Sequence, residues 1–96
     1  MPDISLITSL YRSDKHLPFY IEHVQKIARE LDLSLQVVVV VNDATETEMS
    51  LLENLSKLEA VAVKVIHCER ETLYASRHRG IVHADSDILG FWNVDD

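Results

Sequence analysis

Apolar and β-branched residues run together at four places along the chain, residues 4–10, 35–41, 62–66 and 87–92. The second run is almost unbroken and rich in valine, with no alternation of polar positions. That pattern predicts a strand buried on both faces of a parallel sheet, and hence a central one. The shorter runs predict three further strands, with Gly90 allowing close backbone approach in the last.

Between these runs the apolar residues recur every three to four positions, the spacing of a helix with one buried stripe. Over residues 17–31 the stripe is Leu17, Tyr20, Ile21, Val24, Ile27, Ala28 and Leu31, and Pro18 falls in the first turn, where a missing N–H costs nothing. A second helix is expected from Thr45, whose hydroxyl can cap while Glu48 reaches back to it, carrying Leu51, Leu52, Leu55 and Leu58 inward. A third, over residues 72–84, is expected to bury Leu73, Ile81 and Ala84. Gly80 within it costs about 1 kcal/mol against alanine unless the sheet requires close approach, so it is read as a packing glycine.

The order β-α-β-α-β-α-β, without linker or repeat, predicts an α/β fold: an open, mostly parallel Rossmann-like sheet of about four strands with helices on both faces. With 96 residues the chain suits one domain, residues 1–96. In such sheets ligands bind beyond the carboxyl ends of the strands, so function is sought there.

Charge narrows the partner. A formal charge of −7 with no basic run argues against nucleic acid. A phosphorylated ligand would then call for a divalent cation between protein carboxylates and phosphate. The single cysteine, Cys68, excludes an internal disulfide and fits a reducing compartment. No leader pattern and no membrane span is present in the sequence, so a cytoplasmic location is expected.

The four strand ends read Tyr11-Arg12-Ser13, Asn42-Asp43-Ala44-Thr45, Glu69-Arg70-Glu71 and Asn93-Val94-Asp95-Asp96. An aromatic suits stacking on a base, a carboxylate suits a base or ribose hydroxyl, and paired aspartates suit a hard cation. Asp85-Ser86-Asp87 spells a similar acidic motif but precedes the fourth strand, so it is read as a solvated turn at the opposite edge. Arg77 shares the stripe of Leu73 and Ile81 and is expected to meet a carboxylate, Asp43 or Asp95, which makes it more interesting than Arg79. The histidines lack metal-ligand spacing, and His67 and Cys68 point to opposite faces of a strand, which speaks against a dyad. Glycine-rich dinucleotide and P-loop motifs are absent.

Four segments together, residues 4–12, 38–45, 74–81 and 88–96, resemble the N-terminal half of family 2 glycosyltransferases with the GT-A fold, and the resemblance covers essentially the whole chain. It implies that Tyr11 lies against the nucleotide base, that Asp43 hydrogen-bonds the base, and that Arg77, from the family's A-R-N-x-G helix motif, supports the nucleotide site. It further implies that Asp95, the second acid of a D-x-D motif, binds Mn²⁺ or Mg²⁺ bridging the donor diphosphate, with Asn93 and Asp96 beside it. Asn93 replaces the first acid and removes one charge, His78 replaces the usual asparagine, and Thr72-Leu73 stand where a glycine is common. The implied donor is a nucleotide-diphosphate sugar, UDP-linked by expectation, with the acceptor half and the general base beyond Asp96. A non-catalytic nucleotide-binding or interaction module is the alternative.

Overall fold

Every residue of the strand β2 (Leu35–Asn42) is buried, and the rest of the molecule is arranged to cover it. The computed structural model describes residues 2–94, so the expectations placed on Asp95 and Asp96 lie outside the described residues. Around β2 the chain forms β1 (Ile4–Tyr11), β3 (Val61–Cys68) and β4 (Leu89–Phe91), alternating with the helices α1 (Leu17–Glu30), α2 (Glu46–Ser56) and α3 (Leu73–His83). The four strands are all parallel in the order β3-β2-β1-β4. The open parallel sheet expected from the sequence is therefore present.

Successive β2 side chains face opposite ways and meet different helices. Val37, Val39 and Val41 join Leu10 of β1 in one core with Leu17, Tyr20 and Val24 of α1 and Leu52 and Leu55 of α2. Val38 and Val40, with Ile7 of β1, face α3. Each fully buried valine contributes about 1.5–3 kcal/mol by area, an upper figure because unfolded chains are already partly compact. The α2 start is as expected: the Thr45 hydroxyl accepts from the Glu48 N–H at 3.0 Å, and the Glu48 carboxylate accepts from the Thr45 N–H at 3.0 Å.

The inward face of α3 differs from expectation. Leu73 and Ile81 are 53% and 39% exposed, while Ser76 and Gly80 are buried. The helix lies too close to the sheet for large side chains: a Cβ on Gly80 would collide with the Ile7 Cγ2 methyl and stand 3.4 Å from a Val40 methyl. Apolar periodicity counts large residues, whereas a helix in close contact with a sheet presents its small ones. Gly80 is the packing glycine that was expected.

Asp85 is likewise not a free turn residue. It accepts from the Gln36 amide at 2.7 Å and pairs with the Lys64 ammonium at 3.0 Å. The Lys64 bond, then the Gln36 bond, hold its carboxyl below the ordinary range. Asp87 is exposed as expected, and Asp85 meets the early part of β2, at the edge opposite the strand ends that matter below. Among the described residues no helix is long and apolar enough to cross a membrane.

Gly80→Ala tests the close approach. Alanine gains about 1 kcal/mol of helix propensity, but overpacking a filled contact costs about 1–3 kcal/mol. The expected result is a net loss of about 1 kcal/mol in urea unfolding, and a stabilised variant would contradict this packing.

Candidate functional site

β1 and β2 end level with one another, Tyr11 opposite Asn42. The residue that follows each strand, Arg12 at φ 53° and Asp43 at φ 46°, is left-handed. Such a conformation strains a residue with a side chain by about 1 kcal/mol or more and persists where surroundings impose it. The two turns splay the chain apart above the sheet.

A cleft of about 550 Å³ opens there. Ser9, Tyr11, Arg12, Ser13 and His16 form one wall, Asn42 the floor, Arg70, Glu71 and Leu73 a second wall, and Asn93 and Val94 a third. It lies beside β1, where the chain reverses its direction of travel across the sheet, from β2 on one side to β4 on the other. Ligand sites of open α/β sheets form at such points.

The buried Asn42 carboxamide ties these walls together. Its amide donates to the Ser9 hydroxyl at 3.3 Å and the Leu10 carbonyl at 3.0 Å. Its oxygen accepts from the Glu71 N–H at 3.0 Å and the Ser76 hydroxyl at 3.2 Å. Both donors and both lone pairs are used, so the group is fully satisfied in a place where an unmet one would be expensive.

Glu71 in turn receives Arg79 through two bonds, Nε at 2.8 Å and Nη2 at 3.0 Å. That forked contact, helped by Cys68 and Ser76 and opposed by burial, holds the Glu71 carboxyl at about 2, against an ordinary 4.5. Glu71 is therefore a fixed anion with its charge already met. The Cys68 thiol, raised chiefly by burial and then by Glu71, points at Asn42 and Glu71, while His67 is exposed. The two side chains thus stand in different surroundings.

Glu48 fixes the opposite wall. Its side chain is fully buried; one oxygen caps α2 at Thr45 and the other accepts from the Ser13 N–H at 3.0 Å. The Thr45 hydroxyl also donates to Asp14 at 2.9 Å. The start of α2 thus clamps the loop that presents Arg12, Ser13 and His16.

Of the residues expected from the sequence, Tyr11 and Asn93 line the cleft and Asp43 and Arg77 do not. Tyr11 is 38% exposed, and the Arg70 guanidinium lies 4.2 Å from its ring centroid, a cation–π contact. Asp43 is exposed on the turn beyond β2, its N–H donating to the Cys68 carbonyl at 2.9 Å. Arg77 does not meet Asp43; it lies 5.1 Å from the Phe91 ring centroid and donates to the Asn93 side-chain oxygen at 3.3 Å. Among the described residues Arg79 pairs with a carboxylate, Glu71; Asp95, the other partner expected for Arg77, lies outside them.

Asn42, Arg70 and Glu71 stand in the strand-end segments named from the sequence but received no individual role there, and Glu48 was read only as a cap. Glu48 had a visible signal in its capping box, but nothing local marks its second bond. Among the described residues no group of three or more His, Cys, Asp or Glu could hold a metal. At this edge Asn93 presents an amide oxygen, which accepts from Arg77 at 3.3 Å.

No family model matches the chain. EpsH of Bacillus subtilis (strain 168), provisionally named a glycosyltransferase, is 23% identical over 95 residues, which are 99% of this chain and 26% of that protein. The mannosyltransferase PcManGT from Pyrobaculum calidifontis, solved in complex with GDP-Man and Mn²⁺, superimposes with a TM-score of 0.81 at 19% identity, over 98% of this chain and 28% of its own. S. aureus TarS 1-349 superimposes with a TM-score of 0.82 at 21% identity, over 98% and 28%. The chain thus has the fold of a part of known glycosyltransferase structures. It spans about a quarter of the length of the relatives it matches.

Two outcomes test this geometry. Because the Glu71 carboxyl lies below its unfolded value of 4.5, its contribution is full above that pH and is lost as pH falls toward about 2. Acid titration of unfolding stability should show a downward slope in that window which flattens in Glu71→Gln; equal slopes would exclude the pair. Glu48→Gln leaves a buried N–H facing an amide and should cost about 1–3 kcal/mol in urea unfolding.

Proposed function

We propose that this chain is the donor-binding part of a glycosyltransferase, and that its cleft takes a nucleotide-diphosphate sugar. One observation carries the reading. In a chain of charge −7, the cleft at the strand ends is lined by Arg12, His16 and Arg70, while Glu71, the one carboxylate among its described lining residues, is already paired with Arg79. The local field favours an anion with a flat ring that can lie on Tyr11, the description of a nucleoside diphosphate.

On this reading Tyr11 stacks on the base, displacing or sharing Arg70, and Asp43 at the rim accepts from the base or ribose. Arg77 acts indirectly, by holding Asn93. A divalent cation, Mn²⁺ or Mg²⁺, would be held by Asp95 with Asp96 and Asn93, an oxygen donor set that fits a hard cation, and would supply charge to the leaving diphosphate. The Mn²⁺ and GDP-Man in PcManGT support a cation and a nucleotide sugar. UDP as the nucleotide, membership of family 2 and a cytoplasmic setting belong to the same proposal. Acceptor binding and the general base are assigned to the part of a full-length enzyme that the present residues do not match.

A second reading, a non-catalytic nucleotide-binding module, is favoured by the neutral Asn93 with its oxygen engaged by Arg77. Calorimetry separates the two. UDP or GDP should bind, more tightly with Mn²⁺ than in a chelator, and Asp95→Ala should remove that dependence. Tyr11→Ala should weaken binding by about 1–3 kcal/mol. Binding indifferent to Mn²⁺ favours the module, and folded protein giving no heat with either nucleotide sinks both.

A further inference from the structure

The cleft wall formed by Asn93 and Val94 begins one residue after Trp92, and the Trp92 backbone is held at two points. Its N–H donates to the Ile7 carbonyl at 3.0 Å, extending the sheet ladder. Its carbonyl accepts from the Thr8 hydroxyl at 2.9 Å. Thr8 points to the α1 face of β1, where its hydroxyl also lies 2.8 Å from the Tyr20 phenol oxygen.

The direction of these bonds can be deduced. A carbonyl only accepts, and a hydroxyl has one hydrogen, so the Thr8 proton is committed to Trp92. The Tyr20 hydroxyl must then be the donor to Thr8. Tyr20 is fully buried, and burial pushes its phenol well above the ordinary 10.0, which keeps that proton in place. The result is a one-way chain from Tyr20 through Thr8 to the Trp92 carbonyl. The Trp92 ring meets Tyr20 as well, with centroids 5.1 Å apart, and stacks on His23 at 6.3 Å.

We propose that Thr8 is a positioning residue for the Asn93 and Val94 wall of the cleft, acting through the bond from its hydroxyl to the Trp92 carbonyl. The ladder bond to Ile7 fixes where β4 ends; the Thr8 bond fixes the plane of the following peptide, and so the direction in which the chain leaves toward Asn93. Thr8 does not itself line the cleft, and its bond to Trp92 joins it to the wall. The inference rests on the reading of that wall as part of a nucleotide and cation site.

The test uses four variants of the chain, with calorimetry of UDP and GDP in the presence of Mn²⁺ and urea unfolding measured side by side. Tyr20→Phe leaves Thr8 able to reach Trp92 and should change affinity by less than about twofold. Thr8→Val frees the carbonyl and should weaken Mn²⁺-dependent binding roughly tenfold, the usual size of effect when a group orienting a binding residue is lost. It also strands the buried Tyr20 hydroxyl, so it loses stability. The double variant, Thr8→Val with Tyr20→Phe, removes the stranded hydroxyl; stability should partly return while affinity stays low. Thr8→Ser, which keeps the hydroxyl, should restore binding.

Affinity that rises and falls with stability across the series would overturn the proposal in favour of simple packing. Should Thr8→Val be unfolded, the double variant decides alone, and near wild-type affinity in it would overturn the proposal. Wild-type protein that binds neither nucleotide removes the functional reading and this inference together. Wild-type binding that is unchanged in Thr8→Val and in the double variant removes this inference only.

Discussion

The Asn42 carboxamide is the constraint on which the rest of the cleft depends. It stands at the last position of the most buried strand and reaches β1, the loop after β3 and the first half of α3 with four hydrogen bonds. A hydrophobic residue there would leave the Leu10 carbonyl, the Glu71 N–H and the Ser76 hydroxyl without these partners. An aspartate would bring an uncompensated charge beside the Leu10 carbonyl. The amide suits the position because it donates on one side and accepts on the other, and the walls it joins need both.

From that floor the polar order propagates outward by exchange of charge for geometry. Glu71, located by Asn42, is neutralised by Arg79 and so ceases to compete with Arg12 and Arg70 for the character of the cleft. Among the described residues, an acidic chain in this way lines a recess with unpaired cations. On the other wall the ionisable side chain is used differently: Glu48 is spent entirely on backbone N–H groups, binding a helix start to a strained turn at Arg12. Both carboxylates are structural, one through an arginine and the other through the main chain.

The fold was legible in the sequence because its largest energetic terms are also its strongest patterns. The valines of β2, the stripe of α1 and the Thr45 cap each follow from short-range spacing, and the strand and helix boundaries observed differ from those expected by a few residues. The cleft was legible in outline, since strand ends must converge on one edge, and Tyr11 and Asn93 stand there. Its inner partners were not. Asn42 looks like turn chemistry beside Asp43 and is instead a buried strand residue; Arg79 looks like a solvated cation until Glu71 is placed next to it. Leu73, expected in the core, lines the cleft, because a helix seated on Ser76 and Gly80 rotates its larger residues aside. These are long-range facts, set by how elements meet.

Gly80 acquires a different meaning from this arrangement. It is one helical turn from Ser76, and the missing side chain sets how near α3 lies to β1 and β2. The Ser76 bond to Asn42 exists only at that separation, and Glu71 stands just before the same helix. A larger residue at position 80 would lift the helix, lengthen that bond and loosen the wall that carries Glu71 and Arg70. The depth of the cleft thus depends on a residue that is not among its lining groups.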